Sequence, residues 1–145
     1  MSRFLKLIAF VCFSVFFSNV AQSKENFFNE ALKMFENKKY DDAKFMFERN
    51  IVFNPKDAKS YLYLARIYNH EKDQRKEEYN LETALLIEPN NEEVILMIMK
   101  IALEKSNYTK VKDLSKTFVK VCNKLCSEND QIQESLKNLE PKNES

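Results

Sequence analysis

The chain has 145 residues, no glycine, three prolines, no tryptophan and a formal net charge of +1. That length suits one domain. The missing glycine argues against Gly-rich phosphate loops and against hairpin-rich β folds, which need positive φ at low cost. The balanced charge lacks the basic excess with which nucleic-acid binders hold phosphates.

The N-terminus reads as a targeting segment. Arg3 and Lys6 precede an apolar run from Leu7 to Phe17, and Ala21-Gln22-Ser23 places small residues where a signal peptidase requires them. Cleavage is expected after Ser23, so residues 1–23 are a signal peptide and the mature chain carries a net −1. The alternative is an uncleaved membrane anchor, although the run falls short of the roughly 20 residues that span a bilayer. Ala9-Phe10-Val11 lacks the small residue a lipobox needs before Cys12, so Cys12 leaves with the signal. The expected location is the periplasm, or, for the anchored alternative, the periplasmic face of the inner membrane.

Beyond Lys24 the apolar residues recur at helical spacing. Phe27, Phe28, Ala31, Leu32, Met34 and Phe35 predict a first helix, broken at Asn37-Lys38-Lys39. A second starts at Tyr40 and stops before Pro55, which cannot continue a helical ladder. Asp57 suits the N-cap of a third, carrying Tyr61, Leu62, Leu64, Ala65, Ile67 and Tyr68. After a turn over residues 70–74, a fourth runs from Arg75 to Ile87 and Pro89 stops it. Val94 to Leu103 is strongly apolar, Ser106-Asn107 turns, and Tyr108 to Cys122 pairs with it. A last helix, Ser127 to Glu140, has one apolar stripe of Ile132, Leu136 and Leu139, as the closing element of a stack needs.

Pro55 and Pro89 stand 34 residues apart, and Asn54-Pro55-Lys56-Asp57 is echoed by Glu88-Pro89-Asn90-Asn91. A fixed period of this size marks stacked helical hairpins. The residues resemble tetratricopeptide repeats: Ala31, Tyr40-Asp41-Asp42-Ala43, Phe47 and Pro55 in one unit; Ala65, Tyr68, Leu81, Ala84 and Pro89 in the next; Tyr108 and Phe118 in a looser third. The departures are Asn50 for a small apolar residue, Glu77 in the place of Ala43, Met99 at a small-residue site, and Asn123 where the pattern has proline. The resemblance implies an all-α, right-handed superhelix of about three antiparallel helix pairs with a C-terminal capping helix. The units would span residues 24–57, 58–91 and 92–125, with 126–145 as cap and tail.

In such a fold the first helix of each pair lines a concave groove. The resemblance therefore implies a protein partner, a peptide or helix, held by Phe28, Leu32, Phe35, Leu62, Arg66, Asn69, Leu96, Lys100 and Leu103. Phe28, Leu62 and Leu96 serve either as that surface or as core between helices. Arg66 and Lys100, one period apart, either accept a carboxylate or are solvated cations. Some members of the family clamp a chaperone's carboxyl terminus with Lys, Asn and Arg; Phe28 and Leu32 occupy two of those sites here, so the clamp does not carry over.

Other chemistry is sparse. His70, the sole histidine, is placed in a turn, and its sequence neighbours do not suggest the nucleophile arrangement of a catalytic histidine. Asp41-Asp42 and Glu77-Glu78 are sequence neighbours that diverge around a helix, so they do not pair for catalysis. One histidine and two mature cysteines do not complete a zinc site. No enzyme, metal or cofactor is expected. Cys122 and Cys126 form either a structural disulfide at a helix end or free thiols. The expected function is a periplasmic adaptor or assembly factor; the alternative is a structural subunit of a membrane-associated complex.

Overall fold

The computed structural model describes residues 27–139, which form helices and no strand. The expected signal peptide lies outside the described residues. Helix α1 is seen over 27–36. It is followed by α2 (Tyr40–Phe53), α3 (Ala58–His70), α4 (Gln74–Ile87), α5 (Glu92–Glu104), α6 (Tyr108–Val121) and α7 (Cys126–Leu139). Among the described residues no helix is long and apolar enough to cross a membrane.

The three turns inside the helix pairs use one device. Lys38, Lys72 and Ser106, spaced 34 residues apart, have φ of 60°, 60° and 56°. In each turn the following amide bonds back across the helix end: Lys39 to the Met34 carbonyl at 2.9 Å, Asp73 to Tyr68 at 2.9 Å, Asn107 to Ala102 at 2.8 Å. This is the left-handed C-terminal motif that glycine usually supplies. A side chain there costs about 1–2 kcal/mol, so the repeat retains the turn geometry without the residue that suits it best. The next helix begins at once. Asp73 accepts from the Lys76 amide and Asn107 from the Lys110 amide, both at 3.1 Å, whereas Lys39 makes no side-chain cap.

The chain divides into two compact units after Ser60. In the first, Phe28 packs on Phe47 with ring centroids 5.7 Å apart, and Phe27 stacks on Phe53 at 5.4 Å. Asn50, out of place in an apolar register, is buried but satisfied: it donates to Asp57 at 2.7 Å and to Ser60 at 2.9 Å, bracing the turn that contains Pro55. Asp57 accepts from Ser60 as well, at 2.7 Å.

The second unit is built around α5. Its Val94, Ile98 and Ile101 pack with Leu62 and Ala65 of α3 and Leu81 and Ala84 of α4. Its Ile95, Leu96, Met99 and Ala102 pack with Val111 and Phe118 of α6 and Ile132 and Leu136 of α7. Each fully buried large side chain contributes about 1.5–3 kcal/mol. On α7 the covered stripe is shifted from the expected one. Leu139 is exposed, and Asn129, bonded to buried Ser115 at 2.8 Å, extends the buried face instead.

The link from α6 to α7 explains the missing third proline. Glu92, at the start of α5, accepts backbone N–H bonds from Asn123 (2.6 Å), Lys124 (3.1 Å) and Leu125 (3.3 Å). Proline at 123 would have no N–H to give. The Asn123 amide foremost, then those of Lys124 and Leu125, holds the Glu92 carboxyl below the usual carboxylate range. Cys122 and Cys126 flank these amides at disulfide distance, with Cα atoms 5.3 Å apart.

Two outcomes follow from these turns and this link. Lys72→Gly should raise stability in urea unfolding by about 1 kcal/mol, because glycine relieves the left-handed backbone; a lower midpoint would show that the Lys72 side chain stabilises the turn by other means. Glu92→Gln should lower hydrogen-exchange protection at residues 123–125 while α5 keeps its own. Because its pKa is depressed on folding, the Glu92 contribution is present above the ordinary carboxylate range and lost as pH falls through the folded value. Protection at 123–125 in the wild type should therefore fall on acidification, and in Glu92→Gln it should not.

Candidate functional site

Two of the three long faces of α5 are consumed by the core, so the remaining stripe decides what the second unit can present. That stripe is Glu93, Met97, Lys100 and Glu104, at helical steps of four, three and four. Met97 is half-buried, and Lys100 and Glu104 are exposed. With Asn69 of α3, Glu77 of α4 and Ile101 of α5, the last three residues of the stripe line a cavity of about 230 Å³.

Glu77 is the unusual wall. It is 5% exposed. Its register position is also buried in the neighbouring repeats, where it is Ala43 and Val111. Asn69 donates to one Glu77 oxygen at 3.0 Å. Burial raises the Glu77 carboxyl above its ordinary value; the Asn69 bond opposes this, and the negative charges of Glu104 and Glu78 add to it.

The residues expected from the repeat pattern divide. Asn69 and Lys100 line the cavity. Leu62 and Leu96 are 6% and 5% exposed and pack in the core. Leu103 packs half-buried against the α5–α6–α7 cluster. In the first unit, Phe28, Leu32 and Phe35 are half-buried, Phe28 against Phe47 and Phe35 edge-on to Tyr40 at 5.6 Å. On α5 it is Met97 that lines the cavity, while its neighbour Leu96 packs in the core.

Neither cation is a solvated bystander. Arg66 bonds Glu93, with Nε 3.0 Å from Oε1, and lies over the Tyr63 ring at 4.6 Å. Lys100 Nζ is 3.1 Å from the Glu128 carboxylate of α7. Each already holds a carboxylate of its own chain. Sequence reasoning passed over Met97, Glu77 and Glu104 as site residues; the acid at an apolar register position was the signal for Glu77. Among the described residues no group of three or more His, Cys, Asp or Glu is arranged to hold a metal ion.

No protein-family model matches the chain, and no curated protein is similar to it in sequence. Solved structures are similar in fold. The type III secretion chaperone SycD of Yersinia enterocolitica, in complex with a peptide of the translocator YopD, matches with a TM-score of 0.67 at 13% identity, over 81% of this chain and 92% of that one. The TPR domain of Sgt2 from Aspergillus fumigatus matches with 0.67 at 11% identity, over 85% and 87%. A chain of the CopN–Scc3 complex matches with 0.62 at 11% identity, over 82% and 70%. The fold is TPR-like and all-α.

Because Glu77 binds its proton more tightly in the folded state, its ionisation opposes folding. Stability should fall as pH rises from the ordinary carboxylate value through the raised one. Glu77→Gln should remove that slope and be at least as stable as the wild type at neutral pH. A Gln variant less stable at neutral pH, with the slope intact, would assign the slope to another group.

Proposed function

We propose that this chain is a protein-binding module that takes an extended or helical segment of a partner on the face formed by α3 and α5. The observation that carries the reading is the fold match to SycD, whose structure holds a peptide of its translocator. Within the second unit, the α5 stripe left over by the core supplies a partly apolar, partly charged surface of the kind peptide-recognition folds use. We further propose that it works in the periplasm as an adaptor or assembly factor, after removal of residues 1–23. The N-terminal charge pattern, the apolar run and the paired cysteines support that location. The reading is of a binder rather than an enzyme.

Photo-crosslinking in the exporting cell tests both parts. A crosslinker at Lys100 should yield a discrete adduct, whereas one at exposed Lys116 on α6 should not; the reverse pattern would move the binding surface to the other side. The recovered chain should have the mass of residues 24–145. An intact N-terminus in the membrane fraction would instead favour the anchored subunit of a larger complex.

A further inference from the structure

The cavity between α3, α4 and α5 has a charge that the repeat pattern did not foreshadow. Of the two carboxylates in its wall, Glu77 is almost wholly buried, with one oxygen held by Asn69. Among the described residues the bond from Asn69 is the one found at the Glu77 carboxylate, which lines the cavity. Glu104 adds its charge at the rim, touched by Gln74 at 3.4 Å. The one cation in the wall, Lys100, is turned to Glu128 on α7 and so is already neutralised. Met97 and Ile101 complete the wall with apolar surface.

We infer that this cavity is a subsite for a cationic side chain, lysine or arginine, of the bound partner segment, with Glu77 and Glu104 receiving its charge and Met97 and Ile101 its aliphatic stem. The inference rests on the peptide-binding reading and adds the chemistry that the site selects. The cavity volume of about 230 Å³ is below the roughly 300–1,000 Å³ of pockets for whole small ligands, which suits one side chain. Long cationic side chains lay an apolar stem along apolar walls and keep the charged head at the polar end. A carboxylate desolvated without a cation is costly, and a charge-assisted bond to an ammonium or guanidinium relieves that cost. Burial raises the Glu77 carboxyl above its ordinary value, and a cation placed beside it would oppose that shift. A carboxylate ligand, in contrast, would meet two acids here, with Arg66 and Lys100 both engaged elsewhere.

The test uses the mature chain and amidated heptapeptide pools, apolar and random except for a fixed central Lys, Arg, norleucine or Glu, with affinity read by fluorescence anisotropy. The Lys and Arg pools should bind about tenfold tighter than the norleucine pool, or about 1.4 kcal/mol, and the Glu pool weaker still. Glu77→Gln should abolish the Lys and Arg preference and leave norleucine binding in place. Glu104→Gln, a surface change that does not threaten the fold, should reduce the preference. If norleucine peptides bind with no cation preference, or the preference survives both variants, the subsite inference fails while the peptide-binding reading stands. If no pool binds, the peptide reading fails and the subsite with it.

Discussion

The second unit depends on one constraint: α5 is apolar nearly all the way round, and a helix of that kind must be covered on most sides. Seven of its residues, Val94, Ile95, Leu96, Ile98, Met99, Ile101 and Ala102, are buried. They divide into two adjoining stripes, one satisfied by α3 and α4 and the other by α6 and α7. Removing either pair would leave large aliphatic side chains in water, and this demand draws the mostly polar α7 back onto the bundle.

The same constraint shapes the surface. Once two stripes are spent on the core, Glu93, Met97, Lys100 and Glu104 are what α5 has left to show. Its charged members are then largely matched inside the chain. Glu93 takes Arg66, and Lys100 takes Glu128. These partly exposed pairs contribute little stability individually, but they remove the two cations from the list of free anion receptors. The acid at position 77 is treated differently. It is sunk into the cavity wall with an amide donor and, among the described residues, no cation bonded to it, so carboxylates dominate the charge of the cavity.

Several departures from the repeat pattern have a local physical reason. Asn50 trades apolar packing for two buried hydrogen bonds that fix the turn before α3. Asn123 keeps an N–H that proline lacks, and Glu92 uses it to fasten the link into α7. Lys38, Lys72 and Ser106 hold left-handed turns without glycine because the hydrogen bonds across each helix end over-determine the backbone there. The geometry of the repeat is thus conserved between its own units more faithfully than the residues that usually build it.

By itself the sequence determined the all-α class, the helix order and the turns. The Pro55 and Pro89 stops and the 3.6-residue periodicity act within a few residues, and local rules of that range can be read without knowing what packs on what. It also singled out Asn69 and Lys100, and it marked Glu77 as an oddity. Rotation about the helix axes was decided only by the tertiary structure. In α5 the one charged stripe, Glu93, Lys100 and Glu104, is interrupted by Met97 and flanked by apolar residues on both sides, so periodicity fixes its angle only loosely, and the structure puts Leu96 in the core and Met97 on the cavity. The pairing of charges was likewise invisible: Arg66 meets Glu93 across 27 residues and Lys100 meets Glu128 across 28, and separations of that kind acquire meaning only when helices are stacked.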